Sequence, residues 1–393
     1  MGSETEPAPV ERYDLGLCLS GGGYRAMLFH AGALMRMNDA GLLARLDMVS
    51  SVSGGSIAAG LLAVVWPNLN FENGVASNFR ETFLNRVLTF SRVLVDVPCI
   101  VKGLLNPFST AAEELAAAYE KHLFDGLKPT LKSLTKRPWF VFCSSNLSTG
   151  SLFRMSHRYI ADYRIGVAYD ADLPVATAVA ASSAFPPVLS PLRLDLKRFD
   201  WTQGNLDSTV GSPVLPGRAV LTDGGVYDNH GIEPVLKRCR WVLVSDGGAP
   251  WQASSSGFYN WFSQLRRVFD TTDNQVRALR RRDIIARFKA GQEADELGLP
   301  LGATMRERAA VRGVYWSIGL NPSRYPAPKT VAFTPRSTTR PADIQTYLRS
   351  PGERETADLV NWGYAASDVA LRSHYAPPPA PVSTLPVAAD VAG

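Results

Sequence analysis

Cysteine is scarce in this chain of 393 residues, and its four cysteines stand far apart. Cys18, Cys99, Cys143 and Cys239 form no Cys-x-x-Cys pair and no cysteine–histidine cluster at metal-ligand spacing. We therefore expect four reduced, buried cysteines, with no disulfide framework and no metal site. The sequence indicates no cofactor.

Long hydrophobic runs are also lacking. The longest apolar segment, residues 57–66, has about half of the roughly 20 residues that a membrane-spanning helix needs. Residues 1–9 are acidic and do not resemble a secretory signal, and Gly2 begins no myristoylation motif because position 6 is Glu. These features predict a cytoplasmic protein, at most peripheral to a membrane.

Excess charge of one sign is small. Against 41 Lys and Arg stand 36 Asp and Glu, which gives a net charge of +5. This charge is too small for a dedicated nucleic-acid-binding protein, so we expect no nucleic-acid partner. Hydrophobic residues make up 46% of the chain, enough for a large core.

Two strand–turn–helix units open the chain. In the first, β-prone residues 13–19 precede a Ser-Gly-Gly-Gly turn and a helical pattern over 26–41; in the second, residues 46–52 precede Ser-Gly-Gly and an apolar helix over 56–66. Consecutive units of this kind imply parallel strands joined by right-handed crossovers. We predict an α/β fold of three layers, α/β/α, with a mainly parallel central sheet.

The rest of the pattern fits one catalytic domain over residues 12–375. A helical insertion is expected at about 71–124, and a C-terminal elaboration at about 250–375 that contains helices over 258–292 and 353–374. Short apolar segments at 139–143, 151–155, 219–222, 241–245 and 314–318 predict further strands, most of them typical of parallel sheets. Residues 1–11 are expected to be flexible, and the Pro/Ala-rich residues 376–393 to be disordered.

A glycine-rich turn follows the first strand. Gly21, Gly22 and Gly23, with Arg25 close behind, would leave free N–H groups at a helix N-terminus, which suits an anion. The anion could be a phosphate, a cofactor pyrophosphate or the oxyanion of acyl transfer. A dinucleotide site is disfavoured because the end of the second strand carries Ser51 to Ser53 in place of an acidic residue.

Ser53 occupies the corresponding turn after the second strand, where a nucleophile elbow would place its serine. Such an elbow needs small residues two positions on either side, and Ser51 and Gly55 meet this need, although glycine is usual at the first. A helix N-cap is the plainer role for a serine here. Ser56 is a competing nucleophile, but it would lie inside the first helical turn.

Two aspartates end buried strands before a Gly-Gly pair. Asp223 and Asp246 have the same surroundings in the sequence, and spacing alone does not choose between them. Either could face an active site at the carboxyl ends of the strands, or could bond its own turn. The chain has five histidines, His30, His122, His157, His230 and His374, and none has a local signature of the usual base for serine.

Taken together, these blocks resemble the patatin-like phospholipases, a family of lipid acyl hydrolases. The resemblance rests on Gly21 to Arg25 as a glycine-rich oxyanion loop, Ser51 to Gly55 as the elbow, the Ser/Ala/Pro block at 181–187 and Asp223-Gly224-Gly225. It covers Leu15 to about Pro234, and Ser51 is its departure from the usual pattern.

The resemblance implies a catalytic dyad without histidine. Ser53 would be the nucleophile, Asp223 the proton acceptor, and Gly21, Gly22, Gly23 and Arg25 would form or support the oxyanion hole. The substrate would be a phospholipid or another lipid ester, cleaved as by a phospholipase A. Rival interpretations are a carboxylesterase or acyltransferase with the same dyad, or a non-enzymatic sensor of a phosphate-bearing ligand.

A lipid substrate directs attention to two surfaces. The helical stretch over 83–105 could dock on a membrane, cover the site, or simply pack on the sheet. Residues 264–312 carry 11 basic and 7 acidic side chains, or +4, which would suit transient contact with anionic headgroups. The sequence does not indicate an oligomeric state.

Overall fold

The computed structural model describes residues 13–105, 109–203, 217–251, 253, 260–299, 310–326, 331–333, 337, 339–344, 348, 351–380, 382 and 384–387. The flexible segment expected at 1–11 lies outside these residues. Strands are β1 (Tyr13–Leu19), β2 (Met48–Val52), β3 (Phe71–Glu72), β4 (Val75–Ala76), β5 (Trp139–Asn146), β6 (Ser151–Ser156), β7 (Tyr159–Asp162), β8 (Gly166–Tyr169), β9 (Leu192–Asp195), β10 (Trp201–Gln203), β11 (Arg218–Asp223), β12 (Cys239–Asp246) and β13 (Arg312–Ser317).

The helices lie between and after these strands. They are α1 (Gly23–Asp39), α2 (Gly54–Val65), α3 (Asn85–Phe90), α4 (Asp96–Leu105), α5 (Ala111–His122), α6 (Val175–Ser183), α7 (Gly225–Asp228), α8 (Ile232–Leu236), α9 (Trp261–Glu296) and α10 (Glu353–His374). A π-helical turn at Arg80–Leu84 runs directly into α3.

The central sheet is mixed, with a parallel core. Strands β5, β2, β1, β12 and β13 lie side by side in this order and run parallel. The predicted three-layer α/β fold is therefore confirmed. Two strands differ from the expected parallel type, because β6 and β11 both pair antiparallel with β5. Further antiparallel strands, β7, β8 and β10, extend the sheet beyond β6.

Side chains alternate between the two faces of the sheet. Leu15, Leu17 and Leu19 of β1 enter the larger hydrophobic core, which α1, α2 and α10 help to form. On the opposite face Cys18 enters a smaller core with Val235 of α8 and residues of α9. Helices thus cover both faces, which leaves the loops at the strand ends to form a site.

The region over 71–124 is helical only in part. It begins with the β3–β4 hairpin, whose turn residues Asn73 and Gly74 both have positive φ. Asn-Gly is the commonest signal for such a two-residue turn, so this hairpin was readable in the sequence and the helical prediction was wrong there. The short strands leave α3, α4 and α5 to form the helical layer.

The C-terminal tail also differs from expectation where it is described. The main-chain carbonyls of Ala380 and Pro386 accept hydrogen bonds from Arg36 and Arg80, and Val387 exchanges two with the side chain of Asn361. The expectation of disorder does not hold for these residues, because the apolar side chains among them pack against the larger core.

Candidate active site

Ser53 sits at the sharp turn between β2 and α2. Its backbone has φ 52° and ψ −121°, a left-handed conformation that costs a non-glycine residue roughly 1–3 kcal/mol. Its N–H donates to the hydroxyl oxygen of Ser182 at 3.1 Å. Its own side chain caps no helix N–H, so the N-cap role does not account for this serine. The backbone has the geometry of a nucleophile elbow.

The glycines of the elbow are required by close backbone contacts. A methyl group on Gly54 would lie 2.1 Å from the carbonyl oxygen of Gly23, and one on Gly55 would lie 2.4 Å from that of Leu19. Both separations are far below van der Waals contact. The start of α2 therefore packs directly against the glycine-rich turn that follows β1.

A set of buried hydroxyls supports the elbow from behind. Ser56 hydrogen-bonds Ser51 at 2.9 Å and Ser182 at 2.8 Å, and Ser182 donates to the carbonyl of Cys143 at 2.6 Å. Ser51, which stands where the elbow usually has glycine, is fully buried and has the Ser56 hydroxyl as its polar partner. Ser56 is fully buried in this network, which argues against it as the nucleophile.

Strand pairing brings Asp223 next to Ser53. Val52, the residue before Ser53, pairs with Cys143 of β5, and the next residue of β5, Ser144, pairs with Asp223 at the end of β11. The carboxyl ends of β2 and β11 therefore meet on the same strand. The third loop arrives from β1, since a Cβ on Gly21 would lie 3.1 Å from Cβ of Ser53.

The Asp223 backbone is held on both sides. Its N–H donates to the carbonyl of Ala184, and its own carbonyl accepts from the hydroxyl of Ser145, each at 2.9 Å. Oδ1 of its side chain accepts from the N–H of Gly225 at 2.7 Å. Oδ2 is buried and accepts no hydrogen bond of normal geometry from any described residue, although the Ser53 hydroxyl is near enough to influence the carboxyl group.

The pKa of Asp223 is raised to about 6. Burial is the main cause, because removal from water disfavours the charged carboxylate. The Ser53 hydroxyl and the Gly225 N–H offset part of the rise, whereas the negative charge of Asp273 adds to it. A carboxylate with this pKa is a better proton acceptor than an ordinary aspartate and is still largely ionised near neutral pH.

Of the glycine-rich turn, only part is free to bind an anion. The N–H of Gly21 already donates to the carbonyl of Asn229 at 3.0 Å, so it is committed. Gly22 and Gly23 have φ values of 142° and 56°, and their N–H groups have no acceptor among the described residues. They lead into α1, where N–H groups at a helix N-terminus favour negative charge.

Arg25 fixes this turn through two of its nitrogens, and its Nη2 lies beside Gly22, 3.0 Å from where a Cβ on that residue would be. Its Nε donates to the carbonyl of Gly247 and its Nη1 to that of Ile344, at 3.1 and 2.7 Å. Burial lowers the pKa of Arg25 to about 10, and the nearby charge of Arg277 acts in the same direction. The guanidinium therefore ties the glycine-rich turn to the loop after β12.

Asp246, the rival of Asp223, is engaged in a buried cluster. Its Oδ2 accepts from Tyr315 at 2.6 Å and lies 3.3 Å from Nε2 of His230, and Arg277 lies 3.8 Å from Oδ1. Burial opposes ionisation, but His230, Arg277 and Tyr315 together hold the pKa of Asp246 well below its usual range. Such a carboxylate is a poor base, which separates the two aspartates that spacing left equivalent.

The histidines have other partners. His30 bridges the Ser245 hydroxyl and the Ser20 carbonyl, and burial lowers its pKa to about 4. His230 belongs to the Asp246 cluster, and His122 is exposed. The rings of His374 and His157 meet those of Tyr325 and Trp139 edge to face. Within the described part of the chain, none hydrogen-bonds Ser53 or Asp223.

Several residues of the site were not predicted as such. Ser182 lies in the recognised Ser/Ala/Pro block, but its position between Ser53 and β5 had no signal in the sequence. Ser144 and Ser145, which hold the Asp223 strand, are isolated serines in a buried strand. Asn229 lies six residues after Asp223, and its side-chain oxygen packs against Gly21 and Gly225. The only signal for it in the sequence was a polar residue between Gly225 and Gly231.

Comparisons with known proteins show the family of the chain. A model of the patatin-like phospholipase family matches residues 17–236, more than half of the chain. The chain belongs to this family, as the resemblance predicted. No curated protein matches.

Solved structures give weaker matches. Human GIVD cytosolic phospholipase A2, solved with methyl gamma-linolenyl fluorophosphonate, has 11% identity and a TM-score of 0.46 over 90% of this chain and 57% of that chain. VipD from Legionella pneumophila has 16% identity and a TM-score of 0.40 over 93% and 67%. The chain thus spans little more than half of the human protein.

Among the described residues, no helix is both long and apolar enough to cross a membrane.

Proposed function

We propose that the protein is a phospholipase of the A type that hydrolyses fatty acyl esters of glycerophospholipids through Ser53 and Asp223. The observation that carries this proposal is the buried Asp223 carboxyl group: its pKa is raised, its Oδ2 has no partner of normal geometry among the described residues, and the nearby Ser53 stands in a left-handed elbow. A buried acceptor without a donor is costly in a folded protein, so such an atom calls for a chemical reason.

In the first half of the reaction Ser53 is acylated. Asp223 takes the proton of the hydroxyl as Oγ attacks the ester carbonyl carbon, and the carbonyl oxygen becomes an oxyanion. The N–H groups of Gly22 and Gly23 would stabilise this charge. When the ester C–O bond breaks, the leaving alcohol of the lysolipid takes the proton from Asp223, and the acyl group stays on Ser53.

The second half regenerates the enzyme. Water attacks the acyl carbonyl while Asp223 accepts one of its protons, and a second oxyanion forms at the same two N–H groups. Collapse releases the fatty acid, and the proton on Asp223 returns to Oγ of Ser53. One carboxylate thus serves as base and then as acid in each half, which a pKa of about 6 permits near neutral pH.

Apolar side chains beside the site support an acyl substrate. Phe185 directly follows Ala184, whose carbonyl accepts a hydrogen bond from the Asp223 N–H. Val226 directly follows Gly225, and the side chains of Phe185 and Val226 are both exposed. Val188 is exposed in the same block as Phe185. Exposed apolar residues at the rim of a polar catalytic pair would accommodate a hydrocarbon chain.

The direct test is covalent labelling together with product analysis. We expect a fluorophosphonate probe to label the peptide that contains Ser53, and Ser53→Ala to lose labelling and to lower kcat by at least about a thousandfold. Ser56→Ala is the control and should still be labelled at Ser53. Fatty acid released from dispersed phosphatidylcholine is compared with release from short p-nitrophenyl esters.

Two results would contradict the proposal. Retention of full activity in Ser53→Ala would exclude this nucleophile. Labelled protein that cleaves p-nitrophenyl esters but no phospholipid would point to a carboxylesterase instead.

A further inference from the structure

The N-terminal part of α9 presents an apolar stripe to solvent. Its first members are spaced by three or four residues, and the last returns to the same side of the helix about five turns after the first. Each is more than half exposed: Trp261, Leu265, Val268, Phe269 and Leu279. In a globular protein such a stripe usually faces the core. Here it faces outward, so it needs an occupant.

The opposite side of the same helix faces the protein body and is polar. Arg277 donates to the carbonyl of Ala249 and lies near Asp246, and Arg280 donates to that of Tyr227. These arginines, and not the apolar residues, anchor this part of α9. The apolar stripe is therefore not a core face that has been left partly uncovered.

Charge is divided along α9. Residues 261–282 contain six Arg and two Asp, or +4, whereas residues 283–296 contain two basic and four acidic residues, or −2. Arg281 and Arg282 are exposed in the basic part. Burial of Ile284, and the close approach of Gly291 to Val311, show that the acidic part packs on the body through apolar and backbone contacts.

The helix also passes near the proposed catalytic pair. Asp273, within the basic part, is close enough for its charge to raise the pKa of Asp223, and Arg280 bonds the loop that follows Asp223. The part of α9 that carries the apolar stripe is therefore anchored beside α7, which follows Asp223.

We infer that the stripe of α9 docks on the surface of an anionic phospholipid bilayer and thereby presents substrate to the site. This inference rests on the proposed phospholipase function. Aromatic and aliphatic side chains enter the headgroup–acyl boundary, and the net positive charge of this part of α9 attracts the acidic headgroups. The helix is polar on its other side, as is usual for helices that lie in the interface and do not cross it.

Helix α4 is the other candidate for such contact, and charge decides against it. Val97 and Val101 are exposed there, as is Leu94 just before the helix. Its charged residues are one acid, Asp96, and one base, Lys102, so it offers no net attraction to an anionic surface. The stripe on α9 combines both requirements.

The test measures vesicle binding apart from catalysis. Ser53→Ala protein, which leaves lipid intact, is sedimented with vesicles of phosphatidylcholine and phosphatidylglycerol in equal amounts, and with phosphatidylcholine alone. Leu265→Ser with Phe269→Ser should lower the partition coefficient on the mixed vesicles by at least about tenfold. The matched control is Tyr163→Ser with Leu297→Ser, two equally exposed side chains outside the stripe.

A charge variant gives the second arm. Arg281→Glu with Arg282→Glu should weaken binding to the mixed vesicles by about tenfold or more, with little effect on phosphatidylcholine alone. Lys197→Glu with Lys289→Glu, which changes the net charge equally at other exposed positions, should have a much smaller effect. Added salt should reduce the binding of Ser53→Ala protein with an unaltered α9 to the mixed vesicles.

Each outcome bears on one proposal. Equal binding of the Leu265/Phe269 variant and its control would overturn the docking inference even if phospholipid is cleaved. A light-scattering mass that falls from dimer to monomer in that variant would show that the stripe is a self-association face, which also overturns the docking inference.

The docking inference is supported if the Leu265/Phe269 variant no longer docks on vesicles and, with Ser53 restored, still cleaves p-nitrophenyl esters. Failure of all hydrolysis would refute the proposed function alone.

Discussion

At the scale of single residues, two buried aspartates with the same local sequence differ because of their neighbours. Asp246 has a histidine, an arginine and a tyrosine around its carboxylate, whereas Asp223 has one backbone donor and the Ser53 hydroxyl. Burial is similar, so the partners set the sign of each pKa shift. No pattern in the sequence shows this, because the partners come from distant strands and helices.

The difference predicts opposite effects of pH on the two variants. A raised folded pKa means that the stabilising contribution of Asp223 is full below the unfolded pKa of about 3.9, and is lost as the pH rises through about 6. Asp223→Asn should therefore raise the free energy of unfolding by about 3 kcal/mol near pH 8 and by little near pH 4, while it abolishes hydrolysis.

Urea unfolding at several pH values measures this. For unaltered protein, kcat/KM should rise with pH through about 6, as Asp223 loses its proton. Asp246→Asn is the control with opposite sign, because a depressed pKa contributes stability above the unfolded pKa; this variant should be less stable near pH 8. Destabilisation by Asp223→Asn near pH 8 would contradict the assigned shift.

At the scale of elements, the strand–turn–helix units were predictable and their contacts were not. Apolar periodicity and the glycines predicted β1, β2, α1 and α2 to within three residues at each boundary. The antiparallel course of β11 was hidden, since a short apolar strand has the same composition in either direction. That course is what aligns Asp223 with Ser144 and hence with Ser53.

Ser182 joins three such elements, and its removal should disturb geometry more than substrate binding. Its hydroxyl accepts from the Ser53 N–H and donates to the Cys143 carbonyl. Ser182→Ala leaves a buried N–H at the elbow without an acceptor, at a cost of about 1–3 kcal/mol. We expect kcat to fall about tenfold or more with little change in KM, as for a positioning residue.

Steady-state kinetics with a dispersed phospholipid measure kcat and KM separately. Ser183→Ala is the neighbouring control, because the Ser183 hydroxyl bonds Val179 and Tyr119 and does not touch the elbow. If Ser182→Ala raised KM and left kcat unchanged, Ser182 would act on substrate binding instead.

At the scale of the molecule, the family match ends at residue 236, yet later elements complete the core. Strand β13 extends the parallel core, and α10 crosses α1 with backbones in contact, since a methyl group on Gly32 would lie 1.8 Å from the Val360 carbonyl. The helix that begins at the glycine-rich turn is thus held at its far side by the C-terminal region. The position of the oxyanion donors depends on both halves of the chain.

The buried ion pair between these helices tests that dependence. Arg36 of α1 binds Asp368 of α10 at 2.8 Å, both fully buried, and also donates to the Ala380 carbonyl. Asp368→Asn would leave a buried guanidinium without its counter-charge, so we expect a loss of about 3–5 kcal/mol in the free energy of unfolding.

The control is Glu353→Gln, also on α10, which removes an exposed ion-pair partner of Arg92. It should change the free energy of unfolding by less than about 0.5 kcal/mol. Arg36→Met with Asp368→Leu should recover part of the loss, because no charge remains buried. If Asp368→Asn were as stable as Glu353→Gln, the C-terminal helix would not be coupled to α1 in the way that the structure requires.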